Sequence, residues 1–308
     1  MKLISIVTPC YNEEENINEL YERIQTVMSS MNYGYEHIFI DNASTDKTVE
    51  LIRTLAQKDS RVKAILNTRN FGHIRSPYHG LLQGTGDAVV ILASDLQDPP
   101  ERITDFIRKW EEGYKTVIGV KTKSQETGVF YFFRTMYYRL LRRLSDVELI
   151  EHYTGFGLYD KQVIKILNDL DDPYPYFRGI IADLGFPIAR IEFEQPRRKR
   201  GISKNNFYTL YDMAMLGMTG YTKIPLRLAT IFGFATAALS FLVGSIYLFY
   251  KLLFWQQFSL GSAPIVIGLF FLGSVQLLFL GIVGEYIGAI YTQVMRRPLV
   301  IEKERINF

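Results

Sequence analysis

The sequence of 308 residues contains a single cysteine, Cys10, which excludes an internal disulfide and a metal cage built from several thiolates. Such sparing use of cysteine is typical of a protein that works in a reducing compartment. Two common phosphate-binding patterns are also absent, because the chain contains neither G-x-G-x-x-G nor G-x-x-x-x-G-K-S/T. These absences exclude a dinucleotide-binding fingerprint and a P-loop.

Charged residues are absent from two long stretches near the C-terminus, residues 228–250 and 258–284. A bilayer core of about 30 Å needs about 20 helical residues, so each stretch is long enough to cross it. A hairpin buried in a soluble core is disfavoured, because such helices normally have a polar face. We therefore expect a transmembrane hairpin over residues 223–288, with spans at about 228–250 and 260–284.

Basic residues flank this hairpin on both outer sides, whereas its connecting loop contains only Lys251. Cytoplasmic loops are enriched in Lys and Arg, so both chain termini should be cytoplasmic. The flanking residues are Lys223, Arg227, Arg296 and Arg297. The net charge of the whole chain is only +3, but four consecutive basic residues occupy positions 197–200. This run is interpreted either as a solvated loop or as a site for phosphate or lipid headgroups.

The first 222 residues alternate between short apolar runs and helix-prone segments, and we expect them to form one cytoplasmic domain. The predicted strands cover residues 3–8, 37–40, 62–66 and 87–93, and the predicted helices cover residues 13–31, 48–58 and 76–82. This alternation is typical of an α/β fold with a doubly wound, mostly parallel sheet.

Two further segments of this domain predict helices that lie at the membrane surface. The helix near residues 129–144 has an apolar side and a basic side, which suits an interface with anionic lipid, although packing on the core would also explain it. The second, near residues 205–221, is rich in Tyr and Met and directly precedes the hairpin. Residues 289–308 are expected to be a cytoplasmic tail.

Polar residues follow each of the predicted strands. Because ligands bind beyond the carboxyl ends of such strands, residues 9–13, 41–46, 67–73 and 94–98 are the candidate site. Asp95 stands at a strand exit and Gln97 two residues later, an arrangement that suits a hard divalent cation bound to a diphosphate. An ordinary turn and helix start, through the Asp-Pro-Pro-Glu sequence at residues 98–101, would also explain part of this segment.

Five motifs in order resemble the inverting family 2 glycosyltransferases: V-T-P-C-Y-N-E from Val7, D-N-A-S-T-D from Asp41, N-F-G from Asn70, S-D-L-Q-D-P-P-E from Ser94 and R-K-R-G-I-S-K from Arg198. The likeness covers nearly the whole chain, hairpin included. Within this family, the chain is most similar to the polyprenyl-phosphate hexosyltransferases, such as the bactoprenol glucosyltransferases and dolichyl-phosphate mannose synthase. The resemblance implies a GT-A fold and a bacterial plasma-membrane location.

The resemblance also implies roles for particular positions. Residues that match the nucleotide-sugar site are Pro9, Tyr11, Asn12, Glu13, Asp41, Asn70, Ser94 and Asp95. Asp95 and Gln97 match the ligands of Mg²⁺ or Mn²⁺. The residues implied for catalysis are Asp95, Arg198, Lys204 and Asp160, of which Arg198 and Lys204 match a basic pair that holds phosphate. His152 and Asp160 are candidates for orienting the acceptor, although each would also suit a structural role.

The chain departs from the family pattern at four positions. Ala93 stands where relatives often have the first acid of a D-x-D pair, and Asn42 follows Asp41 where an Asp-Asp pair is more usual. Gly155 occupies the position of a proposed catalytic base, and Gly157 that of an arginine. A base is dispensable if the acceptor is a lipid monophosphate, which is mostly a dianion at pH 7.

The expected activity is inverting transfer of a hexose, most simply from UDP-glucose, to a polyprenyl phosphate such as undecaprenyl phosphate. A UDP-N-acetylhexosamine or GDP-mannose donor stays open, as does a catalytically degenerate nucleotide-binding membrane scaffold. A processive polysaccharide synthase and a tethered transferase with a soluble acceptor are further alternatives. The expected partners are the lipid bilayer and further copies of this chain, and no nucleic acid.

Overall fold

The computed structural model describes residues 1–122, 153–196, 207–254 and 262–308. Five sequence predictions fall outside these residues: the helix near residues 129–144, the role of the basic run at positions 197–200, His152, Arg198 and Lys204. Within the described residues, eight strands form one sheet in the order β7-β5-β6-β4-β1-β2-β3-β8. They are β1 Leu3–Cys10, β2 Gly34–Asp41, β3 Val62–Asn67, β4 Ala88–Ile91, β5 Thr116–Lys121, β6 Tyr153–Asp160, β7 Ile188–Phe193 and β8 Glu302–Ile306.

The sheet is mixed but mostly parallel, as the sequence predicts. Strand β1 lies at its centre, with parallel partners β2 on one side and β4 on the other. Only β6 and β8 run antiparallel to their neighbours. Because the chain leaves β1 towards β2 and later returns to the other side as β4, a crevice opens beyond the carboxyl ends of β1 and β4.

Nine α-helices connect or follow these strands in the described part of the chain. They are α1 Ile17–Ser29, α2 Thr48–Lys58, α3 Gly72–Leu82, α4 Ile103–Glu111, α5 Lys161–Asp169, α6 Phe177–Asp183, α7 Phe207–Tyr221, α8 Ile224–Leu253 and α9 Ser262–Val294. Helix α2 has the predicted bounds, because Asp46 caps its first N–H at 3.0 Å and Ile52, Leu55 and Ala56 form its buried face. Helix α1 begins four residues later than predicted, at Ile17.

The core consists of apolar layers on both faces of the sheet. Side chains alternate between faces along a strand, so Ile4 and Ile6 of β1 join the layer that includes Phe106 of α4. Val7 of the same strand points the other way, into the layer that includes Tyr78 of α3. The polar loops at the strand ends are thereby left at one edge of a rigid sheet.

Helices α8 and α9 are the two long apolar helices that the sequence predicts. Their segments Ile224–Ile246 and Phe271–Val294 are long and apolar enough to cross a bilayer, and almost none of either segment is buried within the protein. Helix α9 continues to Val294, ten residues beyond the predicted end of the span at residue 284. It contacts the start of the hairpin through Tyr286, whose hydroxyl donates to the carbonyl of Thr222 at 2.7 Å.

Part of the segment predicted as a cytoplasmic tail, residues 289–308, is a strand. Glu302–Ile306 form β8, which pairs antiparallel with β3 and is the last strand on that side of the sheet. Charged side chains occupy four of its five positions, in the sequence EKERI, so it lacks the apolar alternation by which strands are recognised. Charged residues are common on edge strands, where they discourage pairing with further chains.

His37 in β2 makes the stability of the domain sensitive to acid. Its ring is fully buried, lies 3.0 Å from the Thr8 hydroxyl and stacks on Phe39. Burial lowers the pKa of His37 to about 3, so the folded protein keeps the ring neutral while the unfolded chain takes up a proton below about pH 6.5. Stability is therefore lost as the pH falls below that value.

Between pH 7 and about pH 5.5, this histidine should lower the free energy of unfolding by about 1.3 kcal/mol. The difference between wild type and His37→Gln isolates its contribution from those of the other histidines. We expect the variant to melt at a less pH-dependent temperature in detergent solution. Equal pH dependence of the two melting temperatures would contradict this assignment.

Candidate functional site

The carboxyl ends of β1 and β4 meet through a side-chain hydrogen bond. Ser94, which is buried, donates its hydroxyl to the carbonyl of Pro9 at 3.0 Å. The pairing of Val7 with Ile91 brings these ends to the same level of the sheet. Pro9, Ser94 and Asp95, three residues predicted for the nucleotide-sugar site, are thus gathered at the crevice.

The loop after β1 is fixed to the segment after β2 by hydrogen bonds between backbone N–H groups and side-chain oxygens. Asn12 adopts a left-handed conformation with a φ of 56°, which asparagine tolerates better than most residues. Its N–H donates to the Ser44 hydroxyl at 2.8 Å, and its side-chain oxygen accepts the N–H of Thr45 at 2.8 Å. The N–H of Glu13 donates to Thr48 at 2.8 Å. These bonds keep the predicted residues Asn12 and Glu13 beside the end of β2.

Asp41 ends β2 as a buried carboxylate, 1% exposed. It accepts the N–H of Ser44 at 2.9 Å and, through its other oxygen, the Ser44 hydroxyl. Burial raises the pKa of Asp41, while the hydrogen bonds from Ser44 oppose that rise. Ser44 therefore both orients this acceptor group and links it to Asn12.

Asn42 joins the loop after β2 to the loop after β3. Its amide nitrogen donates to the side chain of Asn70 at 2.8 Å and to the carbonyl of Gly72 at 3.2 Å. Its amide oxygen accepts the N–H of Phe71 at 2.9 Å and the side chain of Asn67 at 3.3 Å. Motif comparison identified Asn70 but only noted Asn42 as a departure, although Asn42 makes four contacts that need both its donor and its acceptor.

The loop after β4 places its carboxylates in different environments. Asp95 is partly exposed and accepts the N–H of Gln97 at 3.1 Å across a tight turn, in which Leu96 has a φ of 58°. Asp98 is buried and accepts the N–H of Ala93 at 3.2 Å. Burial, with a smaller contribution from the charge of Asp95, raises the pKa of Asp98 to about 6. Asp95 is thus the more available carboxylate.

The side-chain oxygens of Asp95 and Gln97 suit a cation whose other ligands are water and substrate phosphates. Mg²⁺ is commonly held by one or two carboxylates together with water and substrate phosphates. No group of three or more His, Cys, Asp or Glu side chains suited to a metal occurs among the described residues. The side-chain nitrogen of Gln97 also approaches the carbonyl of Pro196 at 3.5 Å, the last described residue before the basic run.

The structure does not bring Asp160 to this site. Asp160 pairs with Ala88, the first residue of β4, whereas the site lies beyond the last. Its carboxylate caps α5 through the N–H of Gln162 at 2.9 Å and accepts the indole N–H of Trp110 at 2.7 Å. Burial works against its ionisation, but these hydrogen bonds and Lys115 lower the pKa of Asp160. These contacts favour a structural role for Asp160 over the predicted catalytic one.

The backbone at the two glycines of β6 disfavours the residues found in some relatives. Gly155 has a φ of 106°, a conformation that a carboxylate-bearing residue would adopt only with strain. A Cβ at Gly157 would lie 2.4 Å from the carbonyl oxygen of Val117. Both positions are therefore adapted to glycine by this backbone.

Replacing Asn42 with Asp tests the network between the loops. The isosteric carboxylate would lose both donated hydrogen bonds and face the oxygens of Asn70 and Gly72 directly. We expect a destabilisation of about 2 kcal/mol and weaker nucleotide binding. Chemical denaturation and calorimetric titration with nucleoside diphosphate measure these effects, and wild-type values for both would refute the proposed network.

Replacing Asp160 with Ala tests the structural assignment. The loss of the helix cap and of the Trp110 partner should destabilise the protein by about 2 kcal/mol. Steady-state kinetics below the melting transition should give a KM for donor within twofold of wild type. A large loss of turnover in the folded variant would restore a catalytic role for this residue.

Comparison with known proteins identifies the family. Residues 5–167 match glycosyl transferase family 2, and residues 224–290 match the GtrB C-terminal hairpin. The uncharacterized glycosyltransferase YkcC of Bacillus subtilis is 37% identical over 300 residues, which cover 96% of this chain and 92% of that protein. A prophage-derived bactoprenol glucosyl transferase of Shigella flexneri is 33% identical over 98% of this chain and 97% of its own length. The chain belongs to glycosyl transferase family 2 and has the GT-A fold expected from its motifs.

Proposed function

We propose that this protein transfers a hexose from a nucleotide sugar to a polyprenyl phosphate, with UDP-glucose as the donor and undecaprenyl phosphate as the acceptor. The proposal rests on one observation: the same chain contains a family 2 domain and a GtrB-type hairpin. Relatives of the same organisation are named bactoprenol glucosyl transferases and match over 97% or more of this chain. The product would be a lipid-linked sugar for modification of cell-envelope glycans.

In this proposal the donor nucleotide binds across the ends of β1, β2 and β3. Asp41 and Asn12 offer hydrogen-bond acceptors and donors there, held in place by Ser44. The diphosphate extends towards Asp95 and Gln97, which would hold Mg²⁺ or Mn²⁺. A cation held there would supply positive charge to offset the charge that develops on the departing nucleoside diphosphate.

The acceptor phosphate is the nucleophile, and the residues of the site position it. A phosphate monoester with a second pKa near about 6 is mostly dianionic at neutral pH, so no protein base is required. This agrees with a glycine at position 155 and with the location of Asp160 at the opposite edge of the sheet. Attack on the anomeric carbon from the face opposite the leaving group inverts its configuration. Arg198 and Lys204 are proposed to hold phosphate.

The hairpin is proposed to anchor the enzyme in the plasma membrane with its catalytic domain in the cytoplasm. The domain precedes α8, and β8 after α9 returns to the same sheet, so both ends of the hairpin face the same side of the bilayer. Basic residues at these ends, including Lys223 and Arg296, favour the cytoplasmic side. A homo-oligomer packed through the exposed helices belongs to the same proposal.

Incubation of the detergent-purified protein with undecaprenyl phosphate, Mg²⁺ or Mn²⁺, and UDP-glucose, UDP-N-acetylglucosamine or GDP-mannose tests the function. We expect one sugar-labelled lipid, formed from UDP-glucose.

Asp95→Asn should lower kcat/KM by about 100-fold or more, because it removes charge from the diphosphate site. Asp160→Asn, an identical change at the other edge of the sheet, is the matched control and should stay within a few-fold of wild type.

Transfer from GDP-mannose or UDP-N-acetylglucosamine alone would keep the reaction class and change the donor. Nucleotide binding without any lipid product would favour a non-catalytic scaffold, the alternative suggested by Ala93 and Gly155. Unchanged activity of Asp95→Asn would remove this residue from the reaction centre.

A further inference from the structure

The C-terminal strand β8 is attached to the catalytic domain by specific side-chain contacts. Arg53 of α2 forms a two-pronged ion pair with Glu304, with one N–O distance of 2.7 Å. Nε2 of His79 lies 2.6 Å from Oε1 of Glu302. Asn307 donates to two carbonyls of the domain, at 2.8 and 2.9 Å. These contacts fix the strand in one register against β3.

The residue just before β8 holds the loop that follows β3. The carbonyl of Ile301 accepts two hydrogen bonds from Thr68, from the N–H at 3.0 Å and from the hydroxyl at 3.1 Å. Glu302 pairs with Asn67, where the register of the two strands shifts by an irregularity. The last contacts of the C-terminal strand are thus made where β3 gives way to the loop.

This loop is part of the candidate donor site. Asn67 and Asn70 lie on either side of Thr68 in the sequence, and both bond to the side chain of Asn42. Asn42 directly follows Asp41, the buried carboxylate at the end of β2. A continuous series of covalent and hydrogen bonds therefore leads from Ile301 through Thr68 and Asn42 to Asp41, where the nucleotide is proposed to bind.

The loop itself has little apolar burial to hold it in place. The side chains of Thr68, Arg69 and Asn70 are exposed, and Arg69 lies over the ring of Phe71, the buried residue that follows the loop. Segments with few buried apolar contacts open at low free-energy cost unless other bonds restrain them. The two bonds to Ile301 are such restraints, and they come from the far end of the chain.

We propose that β8 is a positioning element of the donor site: by holding the loop from Asn67 to Asn70, it sets the affinity for the nucleotide part of the donor. This inference rests on the proposed function for the identity of the ligand as a nucleoside diphosphate sugar. Only residues 295–301 separate α9 from β8, and Val300 among them is buried. A short segment, anchored by Val300, therefore joins the membrane hairpin to the strand that holds the loop from Asn67 to Asn70.

Removal of β8 from the otherwise complete protein tests this inference. A chain that ends at Val300 should bind UDP or GDP, whichever the wild type prefers, about tenfold more weakly, because binding must then order the loop. The KM for undecaprenyl phosphate and the kcat at saturating donor should stay within twofold. A synthetic peptide of residues 301–308, added at millimolar concentration, should restore most of the nucleotide affinity.

A milder pair of variants separates positioning from general destabilisation. Thr68→Val removes one of the two bonds to Ile301 and should raise the Kd for the nucleotide about threefold. Thr54→Val makes the same change on α2, where the hydroxyl bonds only within its own helix, and should leave the Kd unchanged. Melting temperatures of all variants are measured in parallel.

A truncated protein that melts near the wild-type temperature and keeps its nucleotide Kd within twofold would overturn the inference. If the truncated chain does not fold, an unchanged Kd in Thr68→Val overturns it instead. A parallel rise in the acceptor KM would indicate general loss of structure and also count against it. Normal nucleotide binding by the wild type without lipid product refutes the proposed function alone, whereas absence of nucleotide binding refutes both.

Discussion

The meeting of β1 and β4 at their carboxyl ends is the constraint on which the site depends. The bond from Ser94 to Pro9 joins these ends, although the two residues lie 85 positions apart in the chain. Since the connections from β1 and β4 leave in opposite directions, their loops spread apart and form the walls of a crevice. The polar residues of this crevice belong to loops, but each loop starts from a buried strand whose position the core determines.

A second layer of bonds makes these loops a single unit. Asn12 and Asp41 share Ser44, while Asn42 ties Asn67 and Asn70 together. Buried amides of this kind are costly when one partner is lost, because the remaining groups stay unpaired away from water. The arrangement therefore favours a preformed site, in which binding energy need not be spent on ordering the chain.

The chemistry proposed for the protein agrees with what its backbone allows. A lipid phosphate carries its own negative charge, so the enzyme needs to place it and to stabilise the leaving diphosphate. Gly157 fits tightly against β5, and Gly155 has a conformation that disfavours a side chain. The backbone of β6 therefore explains why neither a base at position 155 nor an arginine at position 157 is present. In the proposed membrane arrangement, helices α8 and α9 hold the sheet beside the bilayer, and β8 returns the chain to the loop from Asn67 to Asn70.

Features that depend on neighbouring residues were predictable from the sequence. The pattern of apolar residues predicted α2 at its observed bounds, and the uncharged stretches predicted α8 and α9. The periodicity of apolar residues and the length of an uncharged stretch are local properties of the sequence, so they can be recognised without knowing the tertiary partners. The order of strands and helices likewise indicated the parallel sheet, and with it the edge at which Asp41 and Asp95 lie.

Features that depend on a distant partner were decided by the tertiary structure. Asp160 matched a catalytic motif, yet the antiparallel register of β6 places it at the opposite edge of the sheet, beside Trp110. Glu302–Ile306 are too charged to predict a strand, and become one only because β3 offers them a free edge. Asn42 contributes to the site through its hydrogen bonds to residues at the end of β3 and in the loop after it. In each case the role of a side chain depends on strand pairing between distant segments, which local sequence patterns do not encode.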